Sequence, residues 1–451
     1  MASPSLLDRK RRQGFYDPWE SLPRERRREI IRENLDQYVR FARESVPWYR
    51  DRLAGYRPSE DHPMAEVPVL TAADLRELVP PLSNALVANQ ASGWTVFQSG
   101  GTTGMPKTAL FSHDELERLT LPNARGFFAC GLQAGDRVGN LFAVGGLYMT
   151  FLHINRMLQE YGCTNFPFSN HTPVDFVHTV VKLFGVNTLT GIASVVMNAL
   201  RGMRAQGLEG IRIEKIFYGG EHLYETDKRE IQEAFGTTTI LAPGYGTVDT
   251  WYIGYQCTGC PTGVFHAHDD EAYIEIWDEE ANAPCMPGKA GMLYCTAIPR
   301  RVTPILRYRV GDRAKWLDTP CACGRATPLF QLLGRGDDVL RIGYDSIDYQ
   351  AIQDCVIRVA GLSGTVQMEK QREQGRDRLV VRVEAALTAG PRDEAARALE
   401  KEILSSRPSL RDFVAKGTTW PLRVEIVGGG TLPRNTRTGK LVRVVDSIGD
   451  G

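Results

Sequence analysis

The sequence predicts an α/β protein: a large layered α/β N-terminal domain with a β-rich subdomain, then a small α+β C-terminal domain. Three observations carry this expectation. From the glycine-rich loop near residue 100 to about residue 240, helical segments alternate with short apolar runs at 138–144, 188–192 and 211–218, the pattern of buried parallel strands. From Gly263 to Val310 the texture turns to strand, with Ala272-Tyr273-Ile274-Glu275-Ile276-Trp277 alternating and 291–296 following. Past Gly334-Arg335-Gly336-Asp337-Asp338 come helices at 349–359 and 392–405 and strands at 378–383 and 423–427. The expected division is 1–335 and 336–451.

The first hundred residues read as largely helical. Ser21-Leu22-Pro23 offers a start for one helix, and Thr71-Ala72-Ala73-Asp74 resembles a capping box with Asp in place of Glu. Arg9-Lys10-Arg11-Arg12 and Arg26-Arg27-Arg28 are locally basic. The second cluster is interleaved with Glu25, Glu29 and Glu33, and apolar residues follow at helical spacing, which is the pattern of a solvated helix face.

With 451 residues the chain is long for one core, and 54 basic against 54 acidic residues point to neither nucleic acid nor membrane. No apolar run reaches the length of a membrane span, and no signal peptide opens the chain. Nine cysteines, an odd number, favour a reducing cytoplasm.

The stretch Phe97-Gln98-Ser99-Gly100-Gly101-Thr102-Thr103-Gly104-Met105-Pro106-Lys107 is the most informative. Glycines let backbone N–H groups line an anion-binding concavity, while Ser99, Thr102 and Thr103 add hydroxyl donors and Lys107 a point charge. Met105 and Pro106 separate Gly104 from Lys107, which argues against a P-loop kinase or GTPase.

Cys257-Thr258-Gly259-Cys260 and Cys321-Ala322-Cys323-Gly324 are paired knuckles that suit a closed tetrahedral zinc site, with His266 or His268 as a substitute for one thiolate. Reduced, unligated cysteines and a redox pair are the alternatives. The isolated Cys130, Cys163, Cys285, Cys295 and Cys355 read as core residues.

Further segments join the loop: Tyr218-Gly219-Gly220-Glu221, Pro243-Gly244-Tyr245-Gly246-Thr247-Val248-Asp249, Arg307-Tyr308-Arg309-Val310-Gly311-Asp312, Gly334–Asp338, and Pro433-Arg434-Asn435-Thr436-Arg437-Thr438-Gly439-Lys440. Their order resembles the adenylate-forming superfamily of acyl-CoA synthetases, luciferases and peptide-synthetase adenylation domains, over nearly the whole chain. Val46-Pro47-Trp48-Tyr49-Arg50, Val67-Pro68-Val69-Leu70-Thr71 and the cysteine pairs narrow the likeness to the phenylacetate–CoA ligase-like branch.

The resemblance implies activation of a carboxylic acid by ATP to an acyl-adenylate, with pyrophosphate released, then transfer to a thiol. It implies that Ser99–Lys107 holds the outgoing phosphates and that Tyr245 lies against the adenine beside Gly220 and Glu221, with Gly246 and Arg335 in the nucleotide site. Asp312 would accept from the ribose hydroxyls, and Asp249 would ligate magnesium. Glutamate usually stands at the position of Asp249 and a hydroxyl residue at that of Val248, so Thr247 becomes the candidate hydroxyl for the α-phosphate. Lys440 would be the catalytic lysine of adenylation, and the C-terminal domain would rotate about Asp337 between half-reactions.

The acyl pocket is expected among Gly145, Gly146, Tyr148, His222, Ala242 and Gly244, whose apolar and glycine-rich character suits an aryl acid. His222 would read a ring substituent or else be a packed neutral histidine. Coenzyme A is the expected acceptor. A carrier-protein arm and an amine are alternatives, as is a nucleotide-binding homologue without ligase activity. A homodimer is compatible with the sequence.

Overall fold

The computed structural model describes residues 14–89, 93–99, 106–221, 223, 225–336, 338–342, 345–359, 362, 364–373, 376–385, 389–436 and 439–446. The chain forms two compact units: 1–222 with 231–333, and 223–230 with 334–451.

In the first unit, α1 (Arg24–Ser45) buries Leu35, Tyr38, Val39 and Ala42, one stripe at helical spacing. Arg26 and Arg28 lie on its wet face. Arg27 does not: it is 4% exposed and pairs with Asp269 at 2.6 Å, against the expectation of a wholly solvated basic cluster. α2 (Pro47–Arg52) and the single turn α3 (Asp74–Glu77) follow. Thr71 and Asp74 do make the reciprocal capping bonds. Among the described residues from 53 to 94, however, α3 is the only helix, so the first hundred residues are less helical than expected. That segment is held by other means. Leu70 exchanges backbone hydrogen bonds with Arg307 and Arg309, and Arg307 donates to the Val67 carbonyl.

A hairpin, β1 (Thr95–Gln98) with β2 (Thr108–Phe111), precedes α4 (His113–Arg118) and α5 (Thr120–Ala129). Then come β3 (Arg137–Asn140), α6 (Thr150–Tyr161), β4 (Thr164–Phe166), α7 (Val174–Phe184), β5 (Thr188–Ile192), α8 (Ala193–Ala205), β6 (Lys215–Gly219), α9 (Glu225–Phe235) and β7 (Thr239–Leu241). The five strands form a parallel sheet in the order β4-β3-β5-β6-β7. The order reverses between β3 and β5, and in open parallel sheets ligands bind outside the carboxyl ends of strands at such a switch point. Phe127 of α5, and Ile154, Met157 and Tyr161 of α6, pack with Val138 and Phe217 of the sheet in one buried cluster. α5 approaches so closely that a Cβ on Gly126 would fall 1.8 Å from the Pro243 carbonyl oxygen.

Two strand boundaries differ from expectation. The run at 138–144 leaves the sheet after Asn140, because the Asn140 side chain accepts the Phe142 N–H at 3.1 Å and turns the chain. The run at 211–218 becomes strand only at Lys215, since Ile213 N–H goes to Phe235.

An eight-stranded sheet follows the parallel one, in the order β12-β11-β13-β14-β15-β10-β9-β8. Its members are β8 (Tyr245–Thr247), β9 (Trp251–Tyr255), β10 (Val264–Ala267), β11 (Ala272–Asp278), β12 (Ala283–Pro284), β13 (Gly291–Ala297), β14 (Ile305–Leu317) and β15 (Leu329–Arg335). Ions tie the N-terminal segment to this sheet. Arg125, 1% exposed, bonds Asp17 at 2.8 Å and clasps both oxygens of Asp270. Glu20, fully buried, receives Tyr255, Arg325 and the Tyr16 N–H.

The second unit contains the hairpin β16 (Val339–Ile342) with β17 (Asp345–Asp348), and α10 (Tyr349–Arg358), capped by Asp348. A four-stranded sheet runs β20-β19-β18-β21: β18 (Val366–Glu373), β19 (Arg376–Glu384), β20 (Arg423–Val427) and β21 (Val444–Asp446). α11 (Ala389–Ser406) and α12 (Pro408–Ala415) connect β19 to β20, and residues such as Ile352, Val381 and Leu399 fill the core.

On β11, Glu275 is 6% exposed and 3.5 Å from Arg307 Nε, too poorly aligned for a hydrogen bond. Burial pushes its pKa up from 4.5 to about 7, and Arg307 offsets only part of that. The folded chain thus holds this proton more tightly than the unfolded chain. The group's contribution to stability is full below about pH 4.5 and is lost as pH rises toward 7. Glu275→Gln should therefore gain on the parent by about 1–3 kcal/mol between roughly pH 5 and pH 8. Melts of both proteins across that range check it, and a constant difference would contradict it.

Candidate active site

The loop expected to bind phosphate is the turn of the β1–β2 hairpin. Ser99 and Lys107 close it: Ser99 N–H donates to the Lys107 carbonyl at 2.9 Å, and Lys107 N–H donates to Ser99 Oγ at 2.9 Å. Gly100, Gly101, Thr102, Thr103 and Gly104 lie outside the described residues.

Lys107 Nζ meets the Asp249 carboxylate and donates to the Tyr308 hydroxyl at 2.8 Å. Asp249 is 2% exposed and Tyr308 1%. Burial works against the Lys107 ammonium, but Asp249 and Tyr308 outweigh it and hold the pKa above the ordinary lysine value. Three separate segments meet at this one charge: the hairpin, the turn after β8, and β14. Asp249 therefore stands as the partner of Lys107. Among the described residues it joins no group of three or more metal-ligating side chains.

The turn after β8 is built by Thr247, whose hydroxyl oxygen accepts the N–H groups of Asp249 at 3.2 Å and Thr250 at 3.1 Å. Gly246 must be glycine, because a Cβ there would fall 1.9 Å from the Trp251 carbonyl oxygen. Tyr245 donates to Asp312 Oδ2 at 2.6 Å and packs against Phe265 and Phe330. Gly220, with φ 75°, follows β6, and Glu221 accepts the Ser194 N–H at the start of α8 at 3.1 Å. Arg335 ends β15.

Of the expected acyl-pocket residues, Gly145, Gly146 and Tyr148 lie on the loop after β3. Gly145, Gly146 and Leu147 are all left-handed there, and Leu147 accepts the Gln98 N–H. Ala242 and Gly244 follow β7, with the Tyr252 ring where a Gly244 side chain would be. These segments follow the carboxyl ends of β3 and β7. His222 lies outside the described residues, as does Asp337. Lys440 belongs to the second unit, on a loop closed by Asn435 N–H to the Lys440 carbonyl at 2.7 Å and Gly439 N–H to the Asn435 carbonyl at 2.8 Å. Glu384 anchors that loop through Leu432 N–H and Arg434.

Two functional neighbours escape sequence reading. Tyr308 lies within the Arg307–Asp312 segment, but only the fold turns it toward Lys107. Gln256 clamps Ala242 from both sides: its N–H donates to the Ala242 carbonyl and its side chain accepts the Ala242 N–H at 2.7 Å.

Ligand atoms of Cys257, His266, Cys321 and Cys323 all lie within 4.8 Å of one another. The thiols of Cys257 and Cys321 are 3.5 Å apart, and Cys323 is 3.4 Å from His266 Nε2. A tetrahedral zinc with bonds of about 2.0–2.3 Å would separate its ligands by roughly 3.3–3.8 Å, so the set fits. Thr327 holds His266 Nδ1 at 3.1 Å, which aims Nε2 at the cluster. Cys260, expected as a ligand, touches Cys257 at 3.5 Å but stands outside this group of four, its place taken by His266.

The fold is similar to that of solved adenylate-forming enzymes. A solved 2-hydroxyisobutyryl-CoA ligase in the postadenylation state superposes with a TM-score of 0.76 at 22% identity, covering 97% of this chain and 93% of that one. In sequence, the chain is a homologue of the phenylacetate–coenzyme A ligases. It is 26% identical to the one from Thermus thermophilus over 96% of its own length and 99% of the relative's. An indoleacetate–lysine synthetase from Pseudomonas savastanoi is 27% identical over 48% of this chain and 52% of that one. No protein-family model matches.

Removing one member of the Lys107–Asp249 pair leaves a buried charge uncompensated. Asp249→Asn should cost about 2–4 kcal/mol of stability, and Lys107→Met combined with it should cost less than the two singles added. Thermal and denaturant melts of the cycle check this. Additive losses would mean the two groups are uncoupled.

Proposed function

We propose that this protein is an AMP-forming acid–thiol ligase. It activates a carboxylic acid with ATP to an acyl-adenylate, releases pyrophosphate, and passes the acyl group to coenzyme A. The observation that carries the reading is Lys107: a half-buried, ion-paired cation at the foot of the β1–β2 hairpin, whose Gln98 bonds the loop after β3 at the switch point of the parallel sheet. Homology to phenylacetate–coenzyme A ligases along almost the whole chain supports it.

Among the described residues, Asp249 and Tyr308 take two of the three Lys107 donors, which leaves one for a phosphate oxygen. In this reading Ser99, Thr102, Thr103 and Lys107 hold the departing phosphates. Positioning and charge neutralisation then do most of the catalysis. Tyr245, Gly220 and Glu221 border the adenine. Asp312, oriented by the Tyr245 hydroxyl, accepts from the ribose. The acid, an aromatic one, lies among Gly145, Gly146, Tyr148, Ala242 and Gly244. Magnesium accompanies the nucleotide, with Asp249 as its candidate ligand. The thiolates and His266 hold a structural zinc, a closed set that leaves no position for chemistry.

A second reading has one observation behind it: the half-length match to an indoleacetate–lysine synthetase favours transfer to a nitrogen nucleophile instead. Pyrophosphate release across a panel of carboxylic acids, with and without coenzyme A, separates these. An acid-dependent signal with thioester formed supports the ligase. A signal with amide formed only when an amine is supplied supports the second reading, and no release with any acid would sink both.

We assign the adenylating charge to Lys440. Lys440→Ala should slow adenylate formation by at least a hundredfold, about 3 kcal/mol, and leave thioester formation from supplied adenylate intact. Equal loss in both half-reactions would contradict the assignment.

Protein purified without chelator should carry about one zinc per chain. Cys321→Ser or His266→Ala should lose it together with thermal stability, while Cys260→Ser should keep it. Metal analysis decides, and zinc-free protein from a reducing preparation would end the zinc assignment.

A further inference from the structure

Helix α7 is apolar on two faces instead of one. Val177 and Val181 are buried, as packing on the sheet requires. On another face Phe176, Leu183 and Phe184 stand 56%, 74% and 51% exposed, with Val180 half-buried between them. Positions 176, 180, 183 and 184 recur at i, i+4, i+7 and i+8, a continuous stripe. Phe184 extends it to Phe166 on β4, ring centroids 5.6 Å apart, and β4 is an edge strand of the parallel sheet. Single exposed apolar residues need no explanation, but a contiguous stripe of them marks an interaction surface.

Along one flank of the stripe lie Asp175 and Lys182, two turns apart and both exposed, with Thr179 between them. Neither side chain has an ion-pair partner among the described residues. The flank therefore reads minus, then plus, toward the helix C-terminus.

We propose that two copies of this chain dimerise through α7, packed antiparallel about a two-fold axis near Thr179 and Val180. A two-fold in the plane of contact, perpendicular to the helices, reverses direction yet sets each flank beside its own copy. Phe176 then meets Leu183 of the partner subunit, and Val180 lies near the axis. Asp175 faces Lys182 of the partner subunit, and Lys182 faces Asp175 of the partner subunit, so both charges are paired. A parallel arrangement would set like against like. This order of charges is self-complementary, which selects a second copy over an unrelated partner. The inference goes beyond the proposed chemistry and is independent of it.

Analytical ultracentrifugation of the full chain over a concentration series tests it. The parent should sediment as a dimer, twice the 50.3 kDa chain. Leu183→Glu, at an exposed position, should keep its melting temperature and raise the dimer dissociation constant by about thirtyfold or more. Asp175→Lys should weaken the dimer, and Asp175→Lys with Lys182→Asp should restore it. A monomer at every concentration, a dimer indifferent to Leu183→Glu, or a double reversal that fails to restore association would each overturn the proposal.

Discussion

A single ammonium group organises the site. Lys107 Nζ must keep two partners to remain buried, and those partners, Asp249 and Tyr308, come from segments 142 and 201 residues away. Satisfying one charge therefore fixes the hairpin, the turn after β8 and strand β14 relative to one another. The constraint spreads outward from there. Tyr308 is flanked by Arg307 and Arg309, whose backbones bridge to Leu70, so the irregular segment before β1 is registered against the site through main-chain bonds. An anion arriving at Lys107 would meet a donor already held in place, which is where catalysis by charge neutralisation has most to gain.

A second set of buried charges works on the periphery. Arg125, Arg325 and Arg27 each lie under 10% exposed and each holds an acidic partner from a distant part of the chain. Together they fasten residues 16–27 to the eight-stranded sheet. Such pairs add little net stability over apolar packing, but breaking one is costly, so they define position more than strength. Arg325 also follows the Cys321–Cys323 knuckle by two residues, which places the N-terminal anchor beside the cysteine and histidine cluster.

Much of this was legible in the sequence, for physical reasons that can be named. The parallel strands are short, mostly apolar runs, and Thr188–Ile192 and Arg423–Val427 stand as read. The segments carrying Ser99, Lys107, Tyr245, Asp249 and Asp312 were legible as motifs, since glycines and paired hydroxyls announce close backbone approach. Three kinds of information were not. Asn140 is the last residue of β3, and nothing in the run shows that its side chain takes the Phe142 N–H and ends the strand there. Tyr308 and Gln256 act through contacts that depend on sheet order, which periodicity cannot supply. His266 displaced Cys260 from the tetrad because β9 and β10 are antiparallel neighbours, and pairing across strands overrides spacing along the chain.

The approach of α5 to Pro243 has a consequence for how such a pocket diversifies. Gly126 sits on a helix that contributes none of the proposed nucleotide or acid contacts, yet the segment proposed to border the acid rests directly on its bare backbone. Any side chain at 126 must displace the Pro243-Gly244 segment, and Tyr252 with it. Pocket width is thus adjustable from behind, by changes that alter no lining residue. A survey confined to the lining would misattribute a shift in acid preference that arose in the helix.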